Sequence, residues 1–543
     1  MNTPKQIIRL LPPLVLATAA TVCISQVNAG APTASTSQTI SGQVVNSVTG
    51  EPIARARVQV GAQQAALTDH DGHFEFDNVS EESTYAFASK PGYFAEDKAV
   101  LAQGQSVSLR LIPEAILFGA ITDQNGQPIQ DLRVQLSMLQ VHDGLRRWQP
   151  MQAINTSVEG KFRFAELQAG QYSLGTGFRI EGLPDAASSV AFVPITFPSP
   201  TGDGIRGALT LAPGDHVEAN ASPAKEKLYP VFGMVSGMAG QGAAFVVTTK
   251  EGEPIDQPIS LYPGGAFRLR LPSGAYRFEL HSAVAGGQQL AGTRDVSVDG
   301  APLDGISITL EPPAILPIEV EYQAVTTGTQ NAPSVPPPFL SASLEDEVPQ
   351  GPRHTIRAEA LKPPDQGQAQ DPGALMVFRD VEPGHYLLQA QAPPPWYLAS
   401  ASCGNLDLTR DPMVIAAGAG TDCTVRMVFR DDSATLKWSA SPAEAGNDSN
   451  NQVFVIAIPL DNLTHTPPNF GVFSDHNLSP DSSTEGSFSG LPPGRYLVMA
   501  LAHRQELPYR DNEALQQYLS LGQEITLTRG GKSEVQLKIV AGP

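Results

Sequence analysis

One stretch constrains the fold more than any other: Gly160-Lys-Phe162-Arg-Phe164-Ala-Glu-Leu167-Gln-Ala-Gly170-Gln-Tyr172. Phe162 and Phe164 alternate, so both rings point to one face of an extended strand. Leu167 closes that strand, and Ala169-Gly170 predicts a turn whose glycine takes a positive φ. Tyr172 then opens the next strand. The pattern returns in recognisable form along the chain, around Phe74 and Phe76, at Gly265 to Tyr276, at Gly384 to Tyr386 and at Gly486 to Tyr496. Repetition at this spacing predicts a tandem array of small β units.

Length and composition agree with that reading. A chain of 543 residues exceeds what one hydrophobic core serves. With 49 glycines, 47 prolines and only 17% charged residues it suits short strands joined by turns. The predicted architecture is all-β, five Greek-key β-sandwich modules at 38–113, 114–213, 228–312, 313–430 and 431–543. Residues 214–227, polar and rich in Ala, Pro and Glu, read as a linker, and a Pro/Gln-rich insertion at 329–373 reads as a long mobile loop. The first two modules superpose without a gap from Gly50-Glu-Pro52-Ile53 to Val60 and from Gly126-Gln-Pro128-Ile129 to Leu136. Tyr172, Tyr276, Tyr386 and Tyr496, each two residues after a glycine, suit a tyrosine corner, whose buried ring keeps its hydroxyl bonded to nearby backbone. Module one has Ser83-Thr84-Tyr85 instead. One short helix is expected near the end, capped by Asp511, with Leu515, Tyr518 and Leu519 on its buried side.

Residues 1–29 read as a signal peptide: Lys5 and Arg9 form a basic start, Leu10 to Ile24 is apolar, and cleavage falls between Ala29 and Gly30. That cleavage removes Cys23 and takes the formal charge from −20 to −22, because two bases and no acid are lost. Export to the periplasm, the outer surface or the medium follows, and no later apolar run is long enough for a transmembrane helix. Such acidity without a basic cluster excludes nucleic acid as a partner. Two cysteines then remain, Cys403 and Cys423, and an exported chain with such a pair suggests a disulfide.

The first two modules resemble the carboxypeptidase regulatory-like domain, a transthyretin-like β-sandwich. The residues that carry the resemblance are Gly42-x-Val44, Gly50-x-Pro52-Ile53, Thr68-Asp69-x-Asp71-Gly72-x-Phe74-x-Phe76 and Pro91-Gly92-Tyr93. In module two they are Gly119-x-Ile121, Gly126-x-Pro128-Ile129, Gly160-x-Phe162-x-Phe164 and Gly170-x-Tyr172. Modules three to five keep mainly the second half of the pattern. The whole looks like large exported proteins of soil bacteria. The resemblance implies a non-catalytic domain grouped with carbohydrate-binding-like folds, and hence polysaccharide as the expected ligand.

No catalytic constellation emerges from the residues, and neither a cofactor nor a metal is expected. Gly202-Asp-Gly204-Ile-Arg-Gly207 spells a dinucleotide fingerprint, but no βαβ unit surrounds it. His70 and His73 flank Asp71-Gly72 beside Asp69, yet two imidazoles on one tight turn do not close a metal site. Asp69 and Asp71 are expected to serve the turn itself. Trp438 alternates with Leu436 as a core residue, and Trp396-Tyr397 reads as packing. Trp148, with Arg146 and Arg147 after the Asp143-Gly144 turn, is the candidate ligand-binding ring. Three roles follow: a non-enzymatic exported binding protein for carbohydrate, a structural spacer or adhesin of the cell envelope with protein partners, and an accessory part of an exported hydrolase. Exposed aromatic clusters would distinguish the first from the second.

Overall fold

The computed structural model describes residues 37–540 apart from 62–63, 81–84, 96–98, 101–105, 143, 182–188, 200–206, 238–242, 251–253, 284–288, 326–339, 347–354, 361–375, 416–422, 443–451, 462–468 and 475–482. The expected signal peptide with Ala29 and Gly30, and most of the 202–207 glycine motif, lie outside the described residues. Within them the chain is all-β with one helix, and no helix is long and apolar enough to cross a membrane.

Two compact units divide the chain. The smaller takes its described residues from 37–45, 52–88 and 99–109. In it the strand Ser37–Asn46 pairs antiparallel with His73–Ser80, and a second sheet runs Gln64–Leu67, Arg57–Val60, Tyr85–Ser89, Ala99–Val100. Alternation sends Val44, Val58, Val60, Phe74 and Phe76 inward, all under a tenth exposed. Gly42 has to be glycine, since a Cβ there would meet the Phe74 ring and the Val107 carbonyl.

Among the described residues of the larger unit four main cores follow one another along the chain, with a smaller cluster around Leu507, Leu515 and Tyr518 beside the last. The first packs Leu117, Ile121, Leu132, Leu136, Phe162, Phe164 and Tyr172 between two sheets. One is ordered Leu145–Asn155, Arg133–His142, Gly170–Thr176, Thr196–Phe197, and the other Lys161–Leu167, Ala115–Ala120, His216–Glu218. The next, around Phe267 and Phe278, lies between Ser260–Leu261, Ala266–Leu271, Tyr229–Ser236, Leu303–Thr309 and the antiparallel strands Ala243–Thr249, Gly274–Ala283, Gln289–Val298. A nine-stranded sheet surrounds the core of Leu316, Phe378, Tyr386, Trp396 and Phe429, and a seven-stranded sheet that of Leu436, Trp438, Phe488 and Tyr496. These are called below the second to fifth sandwiches. In each, the opening strand is paired antiparallel to the phenylalanine strand and parallel to a late strand: Ala115–Ala120 with His216–Glu218, Tyr229–Ser236 with Leu303–Thr309, Ala314–Gln323 with Val425–Arg430, and Ala434–Pro442 with Lys532–Val540.

All four expected tyrosine corners form. The hydroxyls of Tyr172, Tyr276, Tyr386 and Tyr496 donate to the carbonyls of Gln168, Pro272, Glu382 and Pro492, four residues upstream, at 2.8 to 3.0 Å. In Gly274-x-Tyr276 and Gly384-x-Tyr386 the ring folds back onto its own glycine, leaving 3.0 and 3.3 Å for an imagined Cβ.

Gly170 itself does not adopt the expected positive φ. The positive φ lies four residues earlier, at Glu166 with φ 57°, inside the strand Lys161–Leu167. Asn78, Asp380 and Gly490 hold the same place between the last phenylalanine and the closing Val or Leu, at φ 57°, 55° and 78°. Each is the extra residue of a β-bulge, and the strand register shifts there. A Cβ on Gly170 would meet only Met138 Cε closely, at 2.6 Å, and the end of that flexible side chain can turn aside.

Three further expectations change. Residues 214–227 contain the strands His216–Glu218 and Lys225–Lys227, the second in a small sheet with Val190–Phe192 and Arg179–Glu181. Successive residues of Val190–Phe192 face opposite ways, so Ala191 joins the core of the third sandwich and Phe192 that of the second, and the stretch is packed rather than free. The stretch 329–373 holds Ser341–Asp346 and Thr355–Ala360, whose Ala342, Leu344 and Ile356 are buried in the core of the fourth sandwich. The helix α1, Asn512–Leu519, is capped by the Asp511 side chain on the Ala514 amide at 2.9 Å. It buries Leu515 and Tyr518 but leaves Leu519, its last residue, 37% exposed.

Candidate functional site

The hairpin formed by Arg133–His142 and Leu145–Asn155 carries the three residues singled out from the sequence. Leu145–Asn155 is the outermost strand in its sheet order. Direct pairs share a face, so Val141 with Arg146, Leu139 with Trp148 and Ser137 with Pro150 form one row of neighbours. That row faces away from the core, because Val134, Leu136 and Met138 take the inner positions. Arg147, opposite Gln140, points to the other side. Arg146 and Trp148 are thus brought together, and Arg147 is separated from them. Trp148 is half-buried, whereas Trp396 and Trp438 are 4% and 2% exposed and belong to cores.

Arg146 is engaged by residues far along the chain. Its Nε donates to Asp511 Oδ2 at 2.9 Å across 365 residues. The Arg510 amide donates to the Gly144 carbonyl at 2.8 Å, and the Tyr509 ring packs onto the Cα of Gly144, whose imagined Cβ would lie 2.7 Å from it. Gly144 sits at φ 78°, a conformation that favours glycine. Burial pushes the Asp511 carboxyl up, but the Ala514 amide and the Arg146 guanidinium outweigh it and hold the group below its ordinary pKa.

A second exposed face was not foreseen. On the sheet Ser260–Leu261, Ala266–Leu271, Tyr229–Ser236, Leu303–Thr309, the outward row Tyr262, Ala266, Met234, Ser307 lies beside the row Ser260, Arg268, Phe232. Tyr262 and Met234 are each 49% exposed and Phe232 37%. Tyr262 and Met234 stand two strand spacings apart, about 10 Å, with only the small Ala266 between them. The Arg268 guanidinium lies over the Phe232 ring, 5.8 Å from its centroid. The signal was present in the sequence as Phe232 and Met234 in one strand, but Val231 and Val235 alternate with them and are equally apolar. Periodicity alone cannot then say which side is the core.

The remaining candidates resolve into structural roles. Asp69 Oδ1 accepts from the Asp71 and His73 amides at 3.0 and 2.7 Å, which is turn chemistry, and the His70 side chain is fully solvated. The sequence marks Thr68 but not its bonding: its buried Oγ1 donates to the Ile53 carbonyl at 2.6 Å and accepts from the Ala56 amide. Thr156 repeats this with Ile129 and Leu132. Asp432 accepts from Tyr397 Oη and from Arg430 Nε and Nη2 at 3.0 to 3.1 Å. Burial, reinforced by that carboxylate, pushes the Tyr397 hydroxyl up to about 12. Cys403 and Cys423 are joined as a disulfide with Cα atoms 5.5 Å apart. Among the described residues no group of three or more His, Cys, Asp or Glu is placed to hold a metal ion.

Residues 39–112 match the carboxypeptidase regulatory-like domain. That match covers less than a sixth of the chain, and no curated protein matches it. Among solved structures, a streptococcal ancillary pilin is 11% identical over 51% of this chain and 99% of its own, with a TM-score of 0.18. The Bacillus anthracis TIE protein is 12% identical over 79% and 75%, with a TM-score of 0.15. The pilus adhesin SpaC of Lactobacillus rhamnosus GG, in its open conformation, is 12% identical over 51% and 43%, with a TM-score of 0.18.

Proposed function

We propose that this protein is a non-catalytic binding protein of the cell exterior, that its ligand is a polysaccharide, and that it reaches the exterior through the signal peptide at 1–29. The disulfide is consistent with an extracellular protein, since thiols stay reduced in most cytosols. The observation that carries the binding role is the exposed face of Tyr262, Met234 and Phe232 with Arg268 over the phenylalanine. Sugar rings stack their C–H faces on such side chains, while a guanidinium and the hydroxyls of Ser260 and Ser307 supply hydrogen bonds at the edge. Arg146 and Trp148 form a second, smaller face of the same chemistry, a half-buried ring beside a guanidinium.

The test is a polysaccharide array probed with the mature protein, its Tyr262→Ala variant and its Trp148→Ala variant. Saturable binding is expected, weakened about two- to tenfold by loss of the Tyr262 ring. Because Trp396 and Trp438 are core residues, a ligand-induced change in tryptophan emission would report Trp148. Absence of binding to every glycan would overturn the reading and leave the envelope spacer with protein partners in its place.

A further inference from the structure

We propose that residues 509–511 of the fifth sandwich are an internal clasp on the second, and that Asp511 occupies the guanidinium of Arg146 that the Trp148 face would otherwise offer to an anionic group. The geometry divides Asp511 between two tasks. Its Oδ1 caps α1 through the Ala514 amide, while its Oδ2 takes Arg146 Nε. The Arg510 amide on the Gly144 carbonyl and the Tyr509 ring on the Gly144 Cα complete the contact. Each of these contacts suits a joint that opens without unfolding its neighbours. Tyr509 and Leu507 belong with Leu515 and Tyr518 to a core made wholly of the fifth sandwich. The Arg146 and Asp511 side chains are 45% and 22% exposed, so their attraction is screened by salt. Gly144 presents backbone alone, and a backbone carbonyl can exchange the Arg510 amide for water.

The clasp stands on these contacts. Its competition with ligand rests on the binding role proposed above. Asp511→Asn separates the two tasks, because asparagine caps a helix as well as aspartate but carries no charge. Amide hydrogen exchange on the full mature chain reads the result at two places, the Arg510 amide in the clasp and the Leu515 amide, which donates to the Asp511 carbonyl inside the helix. Asp511→Asn is expected to speed exchange at Arg510 by up to about fivefold with Leu515 unchanged. Raising sodium chloride from about 0.05 to about 1 M should do the same in the native chain and little in the variant. Unchanged Arg510 exchange in both experiments, or equal acceleration at both amides, would overturn the clasp. A uronic-acid oligosaccharide and its neutral counterpart then test the competition. Tighter binding of the acidic sugar alone by Asp511→Asn supports it, and equal affinity in both chains rejects it. Failure of either chain to bind either sugar would count against the binding role, while the exchange data would still decide the clasp.

Discussion

The tyrosine corner of the fifth sandwich makes a prediction that can be worked through from its geometry. Tyr496 is 1% exposed, its ring packs in the core with Trp438 and Phe488, and its hydroxyl donates to the Pro492 carbonyl at 2.8 Å. Tyr496→Phe keeps the ring and deletes the bond. A hydrogen bond of this kind contributes about 1 kcal/mol net, and stranding the carbonyl raises the loss to about 2 kcal/mol where water cannot reach it. A domain of this size has a urea m-value of about 2 kcal/mol/M, so the midpoint should fall by about 0.5 to 1 M with the slope unchanged. The assay can be made local. The three tryptophans of the chain lie in three different sandwiches, so replacing Trp148 and Trp396 by phenylalanine leaves Trp438 as the reporter of the fifth. Tyr496→Ala in the same background should cost about 3 to 5 kcal/mol, as for other large-to-small core changes. A midpoint that moves less than about 0.1 M on Tyr496→Phe would refute the reasoning, because by that slope the hydroxyl would be worth only about 0.2 kcal/mol.

Alkaline pH should address the corners together. Burial raises the pKa of Tyr172, Tyr276, Tyr386 and Tyr496, so the neutral form is favoured in the fold. Their contribution is full below the unfolded value of about 10 and is lost as pH climbs through the folded values, which a denaturation series from pH 8 to 12 should show as falling stability, less steeply in Tyr496→Phe. Reduction of the Cys403–Cys423 bond, whose separation is 20 residues, should cost the fourth sandwich about 3 kcal/mol, read as an earlier Trp396 transition in reducing agent. Thr156→Val should destabilise the second sandwich by about 1 to 2 kcal/mol, measured by the Trp148 transition, while Thr156→Ser retains most of that stability.

Much of this architecture was legible because it is written locally. The alternation of Phe162 with Phe164 requires no partner to be recognised, and the glycines two residues before Tyr276 and Tyr386 mark where those rings fold back. The bulges escaped notice because Asn78, Glu166 and Asp380 carry no glycine to announce a positive φ. They are held in it by the strand pairing on either side, which is a property of the sheet. Residues 214–227 looked free because three-residue strands such as Lys225–Lys227 are too short for periodicity to register. The candidate site was less visible still. Arg146 and Trp148 could be named, but Asp511 comes 365 residues later and joins them only through tertiary structure. Phe232 and Met234 were hidden by apolar residues on both sides of their strand.

The parallel pairing of each opening strand with a late strand has a mechanical consequence. When such a strand pair is drawn apart by the two ends of its own segment, the pull runs along the strands and across their hydrogen bonds, so the eight register pairs from Thr435 to Pro442 bear the load together. In a hairpin pulled at its open end the bonds break in succession, each alone under the load. Four units of the former kind in series would transmit tension along the chain and yield singly, each releasing its length only when the whole ladder shears.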